Sequence, residues 1–288
     1  MARGLDHVVH AVRDLEAAAE FYRRLGFTVG AHNRHPWGTH NHLVQLPGFF
    51  IELLTFAEPE KLGNDGFSRL FAAYNRDFAA KHEGLSMLIL ESTNAAADAT
   101  AFASAGIAIS PAMHFEREGK RPDGSPVKVG FSLAFAEDPD ASDIHFATCQ
   151  QHYPENFWNP AFQQHANGVS AIESVLLIAQ EPDVHRKMLL DFTGADTARS
   201  SEGGYEIGLP RGEIEVMSPA PFRVRTGVSA PDATDGARLA ALCFSVGSLE
   251  KHSEILQQAS VAHVRRAEDI VVGPAAALGA TLLFTAAG

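Results

Sequence analysis

The sequence has few cysteines and no long hydrophobic run. Two cysteines, Cys149 and Cys243, occur in 288 residues and lie far apart. This excludes the disulfide framework of a small secreted protein and is typical of a reducing compartment. No stretch approaches the roughly 20 apolar residues of a membrane-spanning helix. The first residues, MARGLDHVVH, do not combine a basic region with a long apolar run. We therefore expect a cytoplasmic protein with no membrane partner.

Positive charge is also scarce. The chain has 23 Lys and Arg against 35 Asp and Glu, a formal net charge of -12 with its 14 His counted as neutral. This balance disfavours binding to phosphate backbones, so no nucleic-acid partner is expected. A content of 45% hydrophobic and 20% charged residues predicts a packed globular core. A small-molecule ligand and a second copy of the chain, in a homodimer, are the partners that remain.

The stretch from residue 4 to residue 54 predicts one βαβββ unit. Residues 5–12 alternate as a strand does, and Asp14 is a typical N-cap for the amphipathic helix that follows. Gly26 ends that helix where a left-handed residue is favoured. Three strand-like runs then follow, at 27–31, 39–46 and 49–54.

The same unit recurs along the chain. Residues 84–88 repeat residues 4–8, and residues 94–106 repeat the first helix, both at an offset of 80 residues. A polar hairpin excursion is expected at 116–126. The other predicted strands and helices lie at 127–136, 144–149, 172–179, 183–192, 211–216, 239–246, 249–259 and 279–284. We predict two domains of two units each, at 1–150 and 168–288, joined by a Pro- and Asn-rich linker at 151–167.

The motifs HVVHAVRDL, FYRRLGF and FIELL, in this order, resemble the vicinal oxygen chelate superfamily. That superfamily includes the glyoxalases, bleomycin-resistance proteins and extradiol dioxygenases. The resemblance implies an α+β fold in which four βαβββ modules pair into two glyoxalase-like domains, with curved mixed sheets that form cups. It also implies that His7 on the first strand and Glu52 on the last strand of the first module are metal ligands inside a cup.

The resemblance assigns the remaining ligand positions of the first domain. DPDASDIH, at 138–145, matches the family pattern DPxGNxIE with His145 in the place of Glu, and Met87 occupies the fourth position. His7, Glu52 and His145 are therefore the expected ligands of a divalent Zn, Ni, Mn or Fe ion. Glu52 and His145 are the expected catalytic residues.

Two alternatives stay open for these positions. If the closing strand is shifted, Gln150 or His152 takes the place of His145, and Gln150 there would indicate a pocket without metal. The corresponding positions of the second domain are Ser174, Glu215, Ala241 and Leu283, of which only one carries a carboxylate. We expect that second cup to be free of metal and filled by side chains.

Strand alternation separates the two histidines of the first strand. His7 is expected to share a face with Leu5, Val9 and Ala11, whereas His10 points the other way and packs or is solvated.

Residues 34–42 concentrate polar and aromatic side chains around a Pro-Trp-Gly turn. This density is typical of a site for a small polar or carboxylated ligand, although a solvated hairpin is the alternative. Thr39 and Asn41 alternate onto one face of the strand, opposite to His40 and His42. The candidate substrate-binding residues are Arg34, Trp37, Thr39 and Asn41, with His152 added from the linker.

These residues predict a metal-assisted lyase or isomerase that acts on a small oxygen-bearing substrate. The alternative is a small-molecule binding or resistance protein of the same fold with no metal in the cup. An extradiol dioxygenase is less favoured because the resemblance places its ligands in the second domain, where Ser174 and Ala241 stand.

Overall fold

The computed structural model describes residues 2–120 and 124–287, which form two eight-stranded mixed sheets. The N-terminal sheet consists of β1 (Leu5–Ala11), β2 (Asn33–Arg34), β3 (Thr39–Leu46), β4 (Phe49–Phe56), β5 (Gly84–Glu91), β6 (Met113–Lys120), β7 (Pro126–Ala136) and β8 (His145–Gln151). The C-terminal sheet consists of β9 (Val169–Ile178), β10 (Arg199–Ser201), β11 (Gly204–Gly208), β12 (Glu213–Met217), β13 (Arg238–Val246), β14 (Val264–Arg265), β15 (Asp269–Val272) and β16 (Thr281–Ala286).

Two modules join edge to edge in each sheet. The spatial order of the first sheet is β2-β3-β4-β1-β5-β8-β7-β6, and the second sheet repeats it with β10-β11-β12-β9-β13-β16-β15-β14. β1 runs parallel to β4 of its own module and antiparallel to β5 of the next module. This arrangement confirms the predicted α+β fold, in which four βαβββ modules pair to form two curved mixed sheets.

Seven α-helices occur in the described ranges: α1 (Leu15–Arg24), α2 (Tyr74–Lys81), α3 (Ala95–Ala105), α4 (Pro154–Phe157), α5 (Arg186–Thr193), α6 (Pro219–Thr226) and α7 (Leu249–Gln258). The first helix begins as predicted, since the Asp14 side chain accepts a hydrogen bond from the Ala17 N–H at 3.0 Å. α1, α3, α5 and α7 share one apolar core with the outer faces of both sheets. No helix in the described part of the chain is both long and apolar enough to cross a bilayer.

Two parts of the first domain differ from the sequence prediction. Residues 27–31 form no strand, because their polar groups bond elsewhere: the Thr28 N–H donates to His165 and the Thr28 hydroxyl to the Gln164 carbonyl. Residues 59–81 form an unpredicted cover segment that contains a π-helix (Ser68–Ala73) and α2. The predicted excursion at 116–126 is a β6–β7 hairpin, and its residues 121–123 lie outside the described residues.

Candidate active site in the N-terminal cup

The inner face of the N-terminal sheet encloses a cavity of about 60 Å³, here called the inner cavity. Five polar side chains line it, and they come from four strands and one turn: His7, His35, Asn41, Glu52 and Arg117. Its other walls are mostly aromatic: Trp37, Leu43, Phe50, Phe67, Phe71, Phe115, Phe131, Leu133, Cys149 and Phe157. A few charged groups are thus held in apolar surroundings, where electrostatic interactions are strong.

A β-bulge in β1 shapes one side of the cavity. The pairing of β1 with β5 shifts between Leu5 and His7, so one residue, Asp6, has no partner across the ladder. The bulge turns Asp6 toward the face of His7, and their side chains bond at 2.6 Å between His7 Nδ1 and Asp6 Oδ2. Leu5 instead packs in the outer core with Val8, which corrects the expectation that Leu5 shares the face of His7.

Asp6 fixes the tautomer of His7. Because a carboxylate oxygen accepts, Nδ1 of His7 carries a hydrogen and donates it, which leaves Nε2 as the acceptor of a neutral ring. Gln151 holds the other oxygen of Asp6 with a 3.0 Å hydrogen bond from its Nε2, and the His7 ring stacks on Phe50 with centroids 4.2 Å apart. His7 is therefore oriented directly by Asp6 and Phe50, and Gln151 in turn holds Asp6.

Glu52 extends from β4 into the same cavity and is buried. Asn41 donates from Nδ2 to Glu52 Oε1 at 2.5 Å, and Nε2 of His35 lies 3.9 Å from that oxygen. Burial raises the pKa of Glu52 above its ordinary value, while the nearby His7, the Asn41 hydrogen bond and Arg117 oppose the rise. A carboxyl group with a raised pKa in a cavity is a candidate acid or base.

His35 is held neutral beside Glu52. Its Nδ1 bonds to the Thr39 hydroxyl at 2.8 Å and its ring stacks on Trp37, with centroids 4.9 Å apart. Burial lowers the pKa of His35 to about 3, with the positive charge of Arg117 as a second cause. Thr39 thus positions His35 and does not itself line the cavity.

Arg117 and Trp37 bring unpaired donors to the cavity. Nε of Arg117 and Nε1 of Trp37 are both buried, and neither has a hydrogen-bond partner within the described residues. Burial lowers the pKa of Arg117, and attraction to Glu52 opposes the lowering. Arg117 and Glu52 both line the cavity, but they form no ion pair within the described residues. Both of these unsatisfied groups are N–H donors, so each lacks an acceptor atom within hydrogen-bond distance.

His145 lies apart from the inner cavity. Across the sheet His145 pairs with Met87, Met87 with Val9 and Val9 with Glu52, which places β8 roughly 14 Å from β4. The cover segment takes the His145 ring instead: Nδ1 donates to the Leu70 carbonyl at 3.0 Å, and the ring stacks on Tyr74. Burial lowers the pKa of His145 to about 4. This corrects the expected convergence of His7, Glu52 and His145.

Of the predicted substrate-binding residues, Trp37 and Asn41 line the cavity, and two others lie outside it. Arg34 is exposed on β2. His152 is exposed as well, bonds to the Ser132 hydroxyl at 2.8 Å and packs against His114.

The cup does not fit the three-ligand metal site that the resemblance implies. Only His7 and Glu52 of the expected set line the cavity, and the Arg117 guanidinium would repel a divalent cation there. Within the described residues, three His and carboxylate donor atoms come together at one place, Glu16, His32 and His42, which lies outside the cup.

The sequence alone did not point to Asp6, His35 or Arg117 as site residues. Asp6 reaches the site only because the β1 bulge turns its side chain toward His7. Arg117 belongs to a polar run that the sequence predicts as a hairpin excursion. One signal was present, the alternation of Met113, Phe115 and Arg117, which places an apolar face on the hairpin.

The linker closes the cup and leaves a second, larger space. Gln45 donates to the Phe157 carbonyl at 2.9 Å and accepts from the Asn159 N–H at 3.1 Å, which fastens the linker to β3. A groove of about 600 Å³, here called the outer groove, runs along this junction. It shares Leu43, Arg117 and Phe157 with the inner cavity, so the two spaces adjoin.

The C-terminal cup offers an internal comparison. Ser174 and Glu215 occupy the positions of His7 and Glu52 in the strand register. Glu215 accepts from the Ser174 hydroxyl at 2.5 Å and pairs with Arg225 of α6, while Phe222 of the same helix fills the cup. Its carboxylate is neutralised within the protein, unlike that of Glu52.

Comparisons with known proteins agree with this architecture. The family model described as glyoxalase-like domain matches residues 5–193. A comparison with curated proteins found no match. A hypothetical protein from Staphylococcus aureus has a similar structure, with a TM-score of 0.70, 13% identity and 99% of both chains covered.

Two structures with enzyme names also share the fold. A triple mutant of 4-hydroxymandelate synthase from Streptomyces coelicolor aligns with a TM-score of 0.56 and 11% identity, over 99% of this chain and 93% of that chain. A xylose isomerase-like TIM barrel/4-hydroxyphenylpyruvate dioxygenase fusion protein aligns with a TM-score of 0.51 and 13% identity, over 100% of this chain and 49% of that chain. At these identities the similarity shows the fold alone.

Proposed function

Because the chain belongs to the glyoxalase-like domain family, we propose that its N-terminal cup is the active site of a lyase or isomerase. The substrate class is a small organic acid with a carbonyl oxygen next to its carboxylate. The reaction begins with removal of a proton from the carbon beside the carbonyl group.

The unpaired donors of the inner cavity carry this proposal. Buried polar groups are normally satisfied, and each unsatisfied one has a cost of roughly 1–3 kcal/mol. Arg117 Nε and Trp37 Nε1 are both left without an acceptor in one small cavity that also contains a buried carboxylate. A ligand with neighbouring oxygens supplies the missing acceptors, and its negative charge suits the guanidinium.

Each polar side chain then has a role in proton transfer. The guanidinium of Arg117 binds the carboxylate of the substrate and stabilises the negative charge of the enolate that forms. Glu52, with its raised pKa and its fixed bond from Asn41, removes the proton from carbon. His7, oriented by Asp6, exchanges protons with the substrate oxygen through Nε2. Where C3 also carries a hydroxyl group, the proton returns to C2 and the C3 hydroxyl loses its own proton to become the carbonyl, which is isomerisation. Where C4 carries a leaving group, the electron pair of the enolate expels it with its bonding electrons, which is elimination.

The size of the spaces supports a short reactive end with a longer tail. The inner cavity, at about 60 Å³, admits only a few non-hydrogen atoms. The outer groove, which adjoins it at Arg117, has room for the rest of a larger substrate. The metal-dependent mechanism that the resemblance implies requires three protein ligands in the cup, and only His7 and Glu52 of the expected set lie there. The proposed reaction therefore uses only side chains of the protein.

Hydrogen exchange in D2O tests the proposal without knowledge of the product. The full chain is incubated with 2-oxo acids of increasing length, pyruvate, 2-oxobutyrate and 2-oxohexanoate, and the loss of the C3 proton signal is followed by NMR. We expect exchange above the buffer rate, and a decrease of about 100-fold or more in Glu52→Gln. The matched control is Glu215→Gln, at the same register position of the other cup. Exchange no faster than in buffer, or equal exchange in wild type and Glu52→Gln, contradicts the proposal.

A binding protein without catalysis is the second candidate. The small cavity with mostly aromatic walls favours it. The same experiment separates the two functions. A protein that only binds the acid, with Arg117 holding its carboxylate, broadens or shifts the NMR signals of the acid but does not exchange its C3 protons.

A further inference from the structure

A second cluster of histidines lies on the outer side of the first module. Side chains alternate along β3, so Asn41 faces the cup while His40 and His42 face the opposite way. There they meet Glu16 of α1 and His32 of the loop after α1. We call Glu16, His32, His40 and His42 the outer histidine cluster.

Three donor atoms of this cluster converge. Nδ1 of His32 and Nε2 of His42 each lie 3.2 Å from Oε1 of Glu16. With zinc bonds of roughly 2.0–2.1 Å and tetrahedral angles, neighbouring donor atoms are separated by about 3.3 Å. The two separations of 3.2 Å match this spacing, and the two histidine nitrogens lie within 4.8 Å of each other.

The hydrogen bonds behind these atoms fix which nitrogens carry hydrogen. Nδ1 of His42 donates to the Gly30 carbonyl at 2.8 Å, which leaves Nε2 with a lone pair when the ring is neutral. That lone pair faces Glu16, which is also an acceptor. A neutral His42 thus has no hydrogen to place between Nε2 and the carboxylate.

His32 has the same conflict. Nε2 of His40 donates to Glu58 at 2.9 Å, so Nδ1 of a neutral His40 accepts from Nε2 of His32 at 3.0 Å. Nδ1 of His32 is then a lone pair directed at Glu16. When all three rings are neutral, two imidazole lone pairs and a carboxylate oxygen therefore converge with no hydrogen among them, and one metal ion would accept all three.

We propose that Glu16, His32 and His42 bind one divalent transition-metal ion, with Zn²⁺ as the best match. Two imidazoles and one carboxylate are a normal zinc set, with water in the fourth position. His40 and Gly30 orient the two rings, as hydrogen-bond partners of metal-bound histidines commonly do. Because β3 carries both His42 and Asn41, the ion would also fix the strand whose Asn41 bonds to Glu52 in the cup.

Zinc titration of the full chain tests the site. The protein is prepared without a histidine tag, freed of metal with EDTA and titrated with ZnCl2 by calorimetry. We expect saturation at one ion per chain and an affinity at least tenfold weaker in His32→Ala and in Glu16→Gln. Both residues are exposed, so the fold should tolerate these changes. The matched control is His263→Ala on the C-terminal half, which should bind as wild type does.

A thermal shift gives an independent readout. At a zinc concentration 100 times the Kd, the Tm should rise by roughly 5 °C in wild type and in His263→Ala. In His32→Ala the rise at that concentration should be about half as large or smaller, because the affinity is at least tenfold weaker. Equal zinc affinity in wild type, His32→Ala and Glu16→Gln overturns the site. Loss of zinc in Glu52→Gln with retention in Glu16→Gln also overturns it, because the ion then lies in the cup.

Discussion

Glu52 is the residue on which the proposed chemistry depends, and its burial has a consequence for stability. A carboxyl group whose pKa is raised in the folded state stabilises the fold only while it is protonated. This contribution is complete below the unfolded pKa of about 4.5 and is lost as the pH rises through the folded pKa. The ionised Glu52 therefore lowers the free energy of unfolding near neutral pH.

Glu52→Gln should accordingly be more stable than wild type at neutral pH. The amide keeps the volume and needs no ionisation, so the difference in Tm should grow as the pH rises above 4.5 and then level off. Calorimetric scans from pH 4 to pH 8 measure this difference. Glu215→Gln is the contrasting variant: it weakens the pair with Arg225 and should be less stable than wild type. A constant difference between Glu52→Gln and wild type at every pH would contradict the expected cause.

At the scale of elements, the β2–β3 turn places His35 and Trp37 in the cup, and β3, which follows the turn, places Asn41 there. Gly38 closes the turn with φ of +89°, and a Cβ at this position would collide with the Glu58 carbonyl oxygen. The Gly38 carbonyl also accepts from the Ala57 and Glu58 N–H groups at 3.0 Å. The turn can form this contact only with glycine.

Gly38→Ala should therefore destabilise the protein by about 2–3 kcal/mol and move Trp37. Urea unfolding measures the first effect, and the fluorescence maximum of Trp37 in a Trp158→Phe background measures the second. Gly124→Ala is the matched control: it also has a positive φ, of +85°, but open space around its Cβ. Equal stability of the two variants would show that the collision is unimportant.

The elements also show what the sequence could predict. β1, α1 and β4 follow from alternation, an Asp cap and the FIELL motif, because local rules determine them. The bulge at Asp6 and the cover segment with Phe67, Phe71 and Tyr74 could not be predicted, since they depend on pairing and packing with distant strands. His145 was misplaced for that reason: its motif fixed its strand, while the cover segment fixed its side chain.

At the scale of the whole molecule, several buried histidines make stability depend on pH. Burial lowers the pKa of His145 and of His252 to about 4, and that of His35 to about 3. The unfolded chain protonates these rings below the ordinary pKa of 6.5, whereas the folded chain does not. The unfolded state then binds more protons, so stability falls as the pH decreases from 6.5 toward 4.

These three histidines together should decrease the free energy of unfolding by at most about 4 kcal/mol per pH unit in this range, for three protons. His252 allows a control, because both its ring nitrogens are buried without partners in the described structure. His252→Leu should be more stable at pH 6 and should reduce the slope by about 1.4 kcal/mol per pH unit. Urea unfolding at pH 7, 6 and 5 measures both quantities, and an unchanged slope in His252→Leu would rule out its contribution.

The central claim is that the unpaired N–H groups of Arg117 and Trp37 in the cup bind the oxygens of a small organic acid. The chain has two tryptophans, so Trp37 is the only one left in Trp158→Phe. Because Trp37 lines the cavity, its fluorescence reports binding there. The decisive measurement is titration of this protein with 2-oxohexanoate, compared with the same protein carrying Arg117→Met or Arg34→Met. The account predicts saturable binding that is weakened about tenfold to a hundredfold by Arg117→Met and is unchanged by Arg34→Met. Equal binding with and without Arg117, or no binding at all, would contradict it.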